Sequence, residues 1–192
     1  MTQQKQDIRA RMRERAAAFV AGGRAAAESA RLCAAAEALP SWDASDTLLL
    51  YMALDDEVQT APLLERWYGR KRLVIPRVAG EELELREYRP EALQPGYRGI
   101  LEPGDDCPVV APAQIDFALI PGVAFAPASG ILPDRIGPVL PGPVARLGRG
   151  KGFYDRLLPL LDCPCVGIGY PFRLLSSLPT DPWDRPLDGL LY

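Results

Sequence analysis

Four short apolar runs set the strongest constraint on what this chain can fold into. They are Leu48-Leu49-Leu50-Tyr51, Leu73-Val74-Ile75, Ala118-Leu119-Ile120 and Val166-Gly167-Ile168. Each is too short for a helix and carries no polar interruption, which is the pattern of a strand buried on both faces. Such strands need cover on two sides, and the segments around them have helical spacing. Ile8, Met12, Ala16, Phe19 and Val20 form one stripe of a helix over 5–20, ended by Gly22-Gly23. A second helix is predicted from Glu28 to Leu39, closed by Pro40, and a third from Thr60 to Tyr68, stopped by Gly69. The strands are predicted at Thr47 to Met52, Arg72 to Pro76, 118–120 and 166–168, with a half-exposed strand over 82–88 where Leu83 and Leu85 alternate with Glu84 and Arg86.

This alternation implies an α/β fold: a single three-layer domain, 1–192, with an open, mostly parallel sheet flanked by helices. The length of 192 residues suits one such domain. One stretch breaks the pattern. Between Ala126 and Val144 stand Pro127, Pro133, Pro138, Pro141 and Pro143 together with Gly130, Gly137 and Gly142. That density of breakers predicts a long surface loop with no regular element.

Composition narrows the chemistry. The chain has no histidine, which excludes a Ser-His-Asp or Cys-His nucleophile pair, an imidazole base and a His-ligated zinc. Carboxylates, Lys, Arg, Tyr, backbone amides or an oxygen-held metal must carry any reaction. A net charge of −3 offers no basic field, so no nucleic-acid partner is expected. Cys33, Cys107, Cys163 and Cys165 lack zinc or C-x-x-C spacing and are read as reduced thiols. No apolar stretch reaches the roughly 18 residues of a membrane span, and the N-terminus has no signal-peptide core. A monomer located in the cytoplasm, without membrane contact, is the expectation.

The strongest local signal is Arg146-Leu147-Gly148-Arg149-Gly150-Lys151-Gly152-Phe153-Tyr154-Asp155. Alternating glycines let backbone amides approach an anion. A helix predicted from Phe153 to Leu161 would place its N-terminus there. Arg146, Arg149 and Lys151 add positive charge, and Asp155 offers a hard oxygen for Mg²⁺. The run is neither a Walker A loop nor a dinucleotide fingerprint. By pattern alone it reads as a phosphate loop or as a basic turn without a ligand. Lys5 and Arg9 share a helix face and are open to two readings, an anion contact or solvated charge. Glu57 follows the first strand, where open α/β sheets collect ligands, yet a lone acidic loop residue needs no ligand. Asp184 and Asp188, spaced like the start of a turn, fit a loop cap before a metal ligand.

Taken in order, these residues resemble the 5-formyltetrahydrofolate cyclo-ligase family. The resemblance spans the chain: Lys5 to Arg9, Asp56-Glu57-Val58-Gln59-Thr60, Ile75-Pro76-Arg77-Val78, Gly99-Ile100-Leu101-Glu102-Pro103, Ile120 to Phe125, Arg146 to Asp155, Leu178-Pro179 and Trp183-Asp184. It implies conversion of 5-formyltetrahydrofolate to 5,10-methenyltetrahydrofolate with ATP and Mg²⁺, releasing ADP and phosphate. Carried over by motif, Lys5, Arg9, Arg146, Gly148, Arg149, Gly150, Lys151, Gly152, Phe153 and Tyr154 would hold ATP. Met52, Glu57, Arg149, Lys151 and Phe153 would contact the reduced folate. Lys151, Arg149 and Tyr154 would act in catalysis, and Asp155 and Asp184 would bind Mg²⁺. The chain departs from the family pattern at Ala126, usually Asp, at Phe153, usually Tyr, and at Arg173, often Gln. A homologue that binds folate and nucleotide without turnover is the alternative that the resemblance leaves open.

Overall fold

The computed structural model describes residues 2–132, 138–181 and 184–192. Its ten strands are β1 (Thr47–Leu49), β2 (Arg72–Ala79), β3 (Glu82–Glu87), β4 (Leu93–Pro95), β5 (Leu101–Pro103), β6 (Phe117–Pro121), β7 (Ala124–Pro127), β8 (Val139–Leu147), β9 (Cys165–Ile168) and β10 (Leu187–Leu191). Five helices accompany them: α1 (Gln3–Ala21), α2 (Ala25–Glu37), α3 (Pro40–Asp43), α4 (Ala61–Trp67) and α5 (Phe153–Leu157). Eight strands form one sheet in the order β3-β2-β1-β6-β9-β10-β8-β7, and β4 and β5 pair as a separate hairpin. The run β2-β1-β6-β9-β10 is parallel throughout, with antiparallel strands only toward the two edges. This is the predicted α/β architecture.

The four apolar runs do what their composition dictates. On one face Leu48, Leu50, Leu73, Ile75, Phe117, Leu119, Val166 and Ile168 pack with Leu32 and Ala36 of α2, Trp42 of α3 and Leu63 and Leu64 of α4. On the other face Leu49, Val74, Ala118, Ile120 and Cys165 pack with Leu157 of α5 and the following Leu158 and Leu161. Adjacent residues of one strand thus serve opposite cores, so neither face tolerates a polar position. The third helix-borne contact is α1, whose Ile8 and Met12 close over Val123, Ala124 and Leu147. Val20, at the end of the predicted stripe, is exposed. No helix of the described residues is long and apolar enough to cross a membrane.

Two predictions need correction. The stretch 126–144 is not one loop. Its first residues belong to β7 and its last to β8, which pairs with β10 from Val139 and with β7 from Val144 to Leu147. Pro141 and Pro143 are tolerated because they precede the β7 ladder: Pro141 pairs with Gly189 of β10, and Pro143 uses only its carbonyl, which accepts from the Ala128 amide. Gly142, at φ +90°, accompanies the register shift opposite Leu187 and Gly189. Pro133 and Gly137 of that stretch lie outside the described residues, as does Trp183 of the C-terminal motif. The predicted helix from Phe153 to Leu161 is also shorter. It runs to Leu157 and tightens into a 3₁₀ turn over Leu158–Leu160, because Pro159 has no amide to continue it.

Phe125 of β7 locks this edge to the centre. Its ring lies against Gly122, Gly167 and Gly169, where an added Cβ would come within 2.5, 2.8 and 2.7 Å of ring carbons. Only glycine fits at these three positions without moving the ring. Gly167→Ala should therefore lower unfolding stability by about 1–3 kcal/mol through overpacking, measured by denaturant titration. A variant as stable as the parent would show that β7 can shift to accommodate it.

Candidate active site

A cavity of ≈ 220 Å³ opens at the carboxyl ends of β1, β2 and β6, the position at which parallel sheets gather ligands. Tyr51, Met52, Leu54 and Glu57 line it from the β1 side, and Pro76, Val78 and Leu83 from β2 and β3. The hairpin contributes Tyr97, Arg98, Ile100 and Glu102, and the turn after β6 contributes Pro121, Gly122 and Val123. Arg146 and the segment from Gly148 to Asp155 close the remaining side. One wall is therefore a glycine-rich basic loop, and the opposite walls are largely apolar.

The loop after β1 is held rigid by its own hydrogen bonds. The Tyr51 hydroxyl donates to the Val58 carbonyl at 2.8 Å, and the Thr60 hydroxyl donates to the Tyr51 carbonyl at 2.5 Å. The Gln59 amide donates to the carbonyls of Leu54 and Glu57, both at 2.9 Å. The Tyr170 hydroxyl donates to the Glu57 carbonyl at 2.9 Å. Glu57 thereby presents its carboxylate to the cavity, where Oε1 accepts from Arg149 Nη2 at 2.9 Å and Nε at 3.1 Å.

Asp56, beside it, is the meeting point of two arginines. Its Oδ1 accepts from Arg149 Nη2 at 2.5 Å and its Oδ2 from Arg173 Nη2 at 3.2 Å. Arg173, 2 % exposed, also donates to the Val123 carbonyl at 2.9 Å and the Asp56 carbonyl at 2.5 Å. One buried guanidinium thus ties the loop after β1 to the turn after β6. Burial pushes the Asp56 carboxyl up, but Arg149 and Arg173 outweigh it and leave the group below its ordinary 3.8. Burial likewise works against the charge on Arg149, which Glu57 and Asp56 more than restore.

The glycine loop is positioned from behind. Arg9 Nε donates to the Gly148 carbonyl at 2.8 Å. Lys5 Nζ pairs with Asp181 at 2.7 Å and Asp184 at 3.0 Å, and Asp184 Oδ2 also accepts from the Asp181 amide at 2.8 Å. Lys5 is drawn down by burial, yet these two carboxylates raise it above its usual value. Arg146, its side chain 4 % exposed, pairs with Asp155 Oδ1 at 2.6 Å and lies over the Tyr154 ring at 5.3 Å. Burial lowers its pKa, and the nearby Asp155 and Asp184 work against that. The Tyr154 phenol is held far above its usual value, mainly by burial and then by Glu57, so it stays a neutral donor. Gly152 has φ +72°, and a Cβ there would meet Arg156 Nη1 at 2.5 Å; Gly150 has φ +96°. Both conformations favour glycine, which explains the alternating pattern.

The sequence-predicted residues separate into two groups. Met52, Glu57, Arg146, Gly148, Arg149, Gly150, Lys151, Gly152, Phe153, Tyr154 and Asp155 all line the cavity. Lys5, Arg9 and Asp184 are not among the lining residues: Arg9 bonds to Gly148 of the loop, while Lys5 pairs with Asp184 and Asp181. Among the described residues no three carboxylates or thiols converge as a metal cluster. What the cavity offers a hard cation is the carboxylate of Asp155, whose Oδ1 is already taken by Arg146.

The sequence model of the 5-formyltetrahydrofolate cyclo-ligase family matches residues 1–192. The chain belongs to that family. It is 31 % identical over 154 residues to the 5-formyltetrahydrofolate cyclo-ligase of Escherichia coli K12, covering 76 % of each chain. It is 29 % identical over 199 residues to that of Haemophilus influenzae, covering 99 % of this chain and 98 % of the relative. The NMR structure of Aquifex aeolicus 5,10-methenyltetrahydrofolate synthetase superimposes with a TM-score of 0.80 at 32 % identity, covering 98 % of this chain and 89 % of that one. The chain is accordingly an enzyme of the cyclo-ligase class.

Within this family member, sequence reasoning overlooked Asp56 as the shared partner of Arg149 and Arg173, and Tyr97 and Arg98 as part of the wall. The pair Asp56–Arg173 is separated by 117 residues and has no local signature. The hairpin carries a readable one, Pro95-Gly96 followed by Gly99. The depressed Asp56 carboxyl has a pH consequence. A carboxylate lowered on folding stabilises above its ordinary value, and that contribution disappears as pH falls through the folded value. The gap in melting temperature between the parent and Asp56→Asn should be full above about pH 5 and close below about pH 3.8. A gap independent of pH across this range would refute the ion-pair assignment.

Proposed function

We propose that the protein converts 5-formyltetrahydrofolate to 5,10-methenyltetrahydrofolate with consumption of ATP, releasing ADP and phosphate. The observation that carries the reading is the pairing, in one cavity, of a basic glycine-rich loop with largely apolar walls that include the Glu57 carboxylate. The family relationship supplies the substrate class. The loop glycines, Arg146, Arg149 and Lys151 face the nucleotide, with Arg9 fixing the loop. Met52, Glu57 and Phe153 face the folate, the carboxylate accepting hydrogen bonds from the pterin.

The chemistry suits a chain without histidine. A formamide oxygen is a poor leaving group. Its attack on the γ-phosphorus breaks the bond to ADP and leaves an iminium phosphate on the folate. The neighbouring N10 amine then adds to that carbon and loses its proton. Departure of phosphate, which carries the former formyl oxygen, completes the methenyl bridge. Phosphoryl transfer of this kind depends on positioning and charge neutralisation rather than on a protein nucleophile. Lys151, which has no acid partner among the described residues, supplies the mobile charge, with Arg149 beside it. Tyr154, held protonated, donates a hydrogen bond without exchanging a proton. Mg²⁺ would be held by Asp155, with Asp184, now paired with Lys5, as the second carboxylate, and would neutralise the phosphate oxygens. A site with one or two carboxylates completed by phosphate and water suits that ion.

The test is the absorbance of methenyltetrahydrofolate formed with ATP present and with ATP omitted. Formation should require ATP, and Lys151→Ala and Asp155→Ala should each reduce turnover by about a hundredfold or more while the protein stays folded. Glu57→Ala should act mainly on the apparent folate Michaelis constant. Near-normal turnover in both loop variants, or product without ATP, would overturn the reading.

A further inference from the structure

Four cations line the cavity: Arg98, Arg146, Arg149 and Lys151. Two are neutralised within the protein, Arg146 by Asp155 and Arg149 by Asp56 and Glu57. Lys151 and Arg98 have no acid partner among the described residues. Lys151 belongs to the glycine loop and is accounted for by a phosphate. Arg98 is not, because it sits on another element, the turn that joins β4 to β5.

The backbone at this turn is informative. Arg98 has φ 59° and ψ 22°, the one non-glycine residue with positive φ among the described residues, and Gly99 follows at φ 78°. Two successive left-handed residues in a hairpin ordinarily call for Asn-Gly or Gly-Gly, since a Cβ in this region crowds the adjoining carbonyl. A glycine at 98 would relieve that crowding. The chain instead carries a long, exposed guanidinium there, and such strain collects at ligand sites.

The surroundings define what the guanidinium can meet. Its Cζ lies 6.0 Å from the centre of the Tyr97 ring. Tyr97 in turn stands edge-on to Phe153 of the glycine loop, with centroids 5.9 Å apart at 89°. Beyond this aromatic pair the wall continues with Ile100, Val78 and Leu83. The cavity therefore suits a molecule with a flat apolar body and an anionic end. A planar fork beside an aromatic face is the geometry that pairs with a carboxylate.

We propose that Arg98 binds the carboxylates of the glutamate tail of the reduced folate at the cavity mouth, and so selects substrates that carry the tail. The inference rests on the proposed folate substrate. Its anion could otherwise come from a nucleotide phosphate, and the two sources are separable by experiment.

The test compares 5-formyltetrahydrofolate with 5-formyltetrahydropteroate, which lacks the glutamate, on the parent, Arg98→Gly and Arg98→Lys. Calorimetric affinity and steady-state constants are both measured. Arg98→Gly should weaken binding of the folate and raise its Michaelis constant about tenfold, the value of one exposed charge-assisted hydrogen bond. The loss should be confined to the glutamate-bearing compound, with Arg98→Lys recovering part of it. Because glycine removes the strained φ, the melting temperature of Arg98→Gly should hold or rise, so the weakened binding is not a folding defect. Equal losses for both compounds, no loss at all, or a rise in the ATP constant in place of the folate constant would overturn the proposal. If the parent binds the folate in an Arg98-dependent way but forms no methenyl product, the activity reading fails and this one stands. If it binds neither compound, both fail.

Discussion

Asp56 holds the site together. A single carboxylate, one residue before Glu57, accepts from Arg149 of the glycine loop and from the buried Arg173. Arg173 reaches in turn to the Val123 carbonyl. Three segments that the sheet merely brings near one another are thus joined by one charge network: the loop after β1, the turn after β6 and the glycine loop. Arg173 is too buried to persist without an acid, since a buried guanidinium left unpaired is strongly destabilising. Its requirement for Asp56 and Asp56's requirement for Arg149 hold the cavity open in a fixed shape.

The fold was largely legible because its strands satisfy two cores at once. Leu48 and Leu50 face α2 and α4 while Leu49 faces the opposite layer, so polarity alone marks the strand. The glycine loop was legible for a related reason: positive φ at Gly150 and Gly152 excludes most other residues. Where those local demands cease, legibility ceases too. β8 runs through Pro141 and Pro143, which local rules forbid in a strand, and exists because β10 pairs with it on one side. β10 itself, interrupted by the exposed Asp188, carries a pattern whose meaning depends on that distant partner. The role of Arg173 depends on Asp56, and no spacing rule links residues so far apart. Arg98 shows the converse. Its backbone conformation is visible only in three dimensions, although Gly96 and Gly99 flank the turn that imposes it.

The cavity also divides its labour by polarity. Positive charge is concentrated on one wall, where Arg146 and Arg149 are already paired and Lys151 is not. Apolar and aromatic groups from β2, β3 and the hairpin form the other walls. A charged wall and an apolar wall thus stand side by side. That arrangement needs no imidazole, so the absence of histidine and the layout of the cavity express the same economy.

The prolines of β8 have an effect on how the molecule behaves among its copies. From Val139 to Pro141 this strand has ladder partners in β10, and on the β7 side its bonding begins where the Pro143 carbonyl accepts from the Ala128 amide. A stretch of strand bonded on one side is a template for a strand from another molecule. Pro141 and Pro143 carry no amide proton to offer such a visitor, and the turn at Gly142 bends the edge out of register. Residues that look like defects in a strand therefore act as a guard against sheet-to-sheet growth.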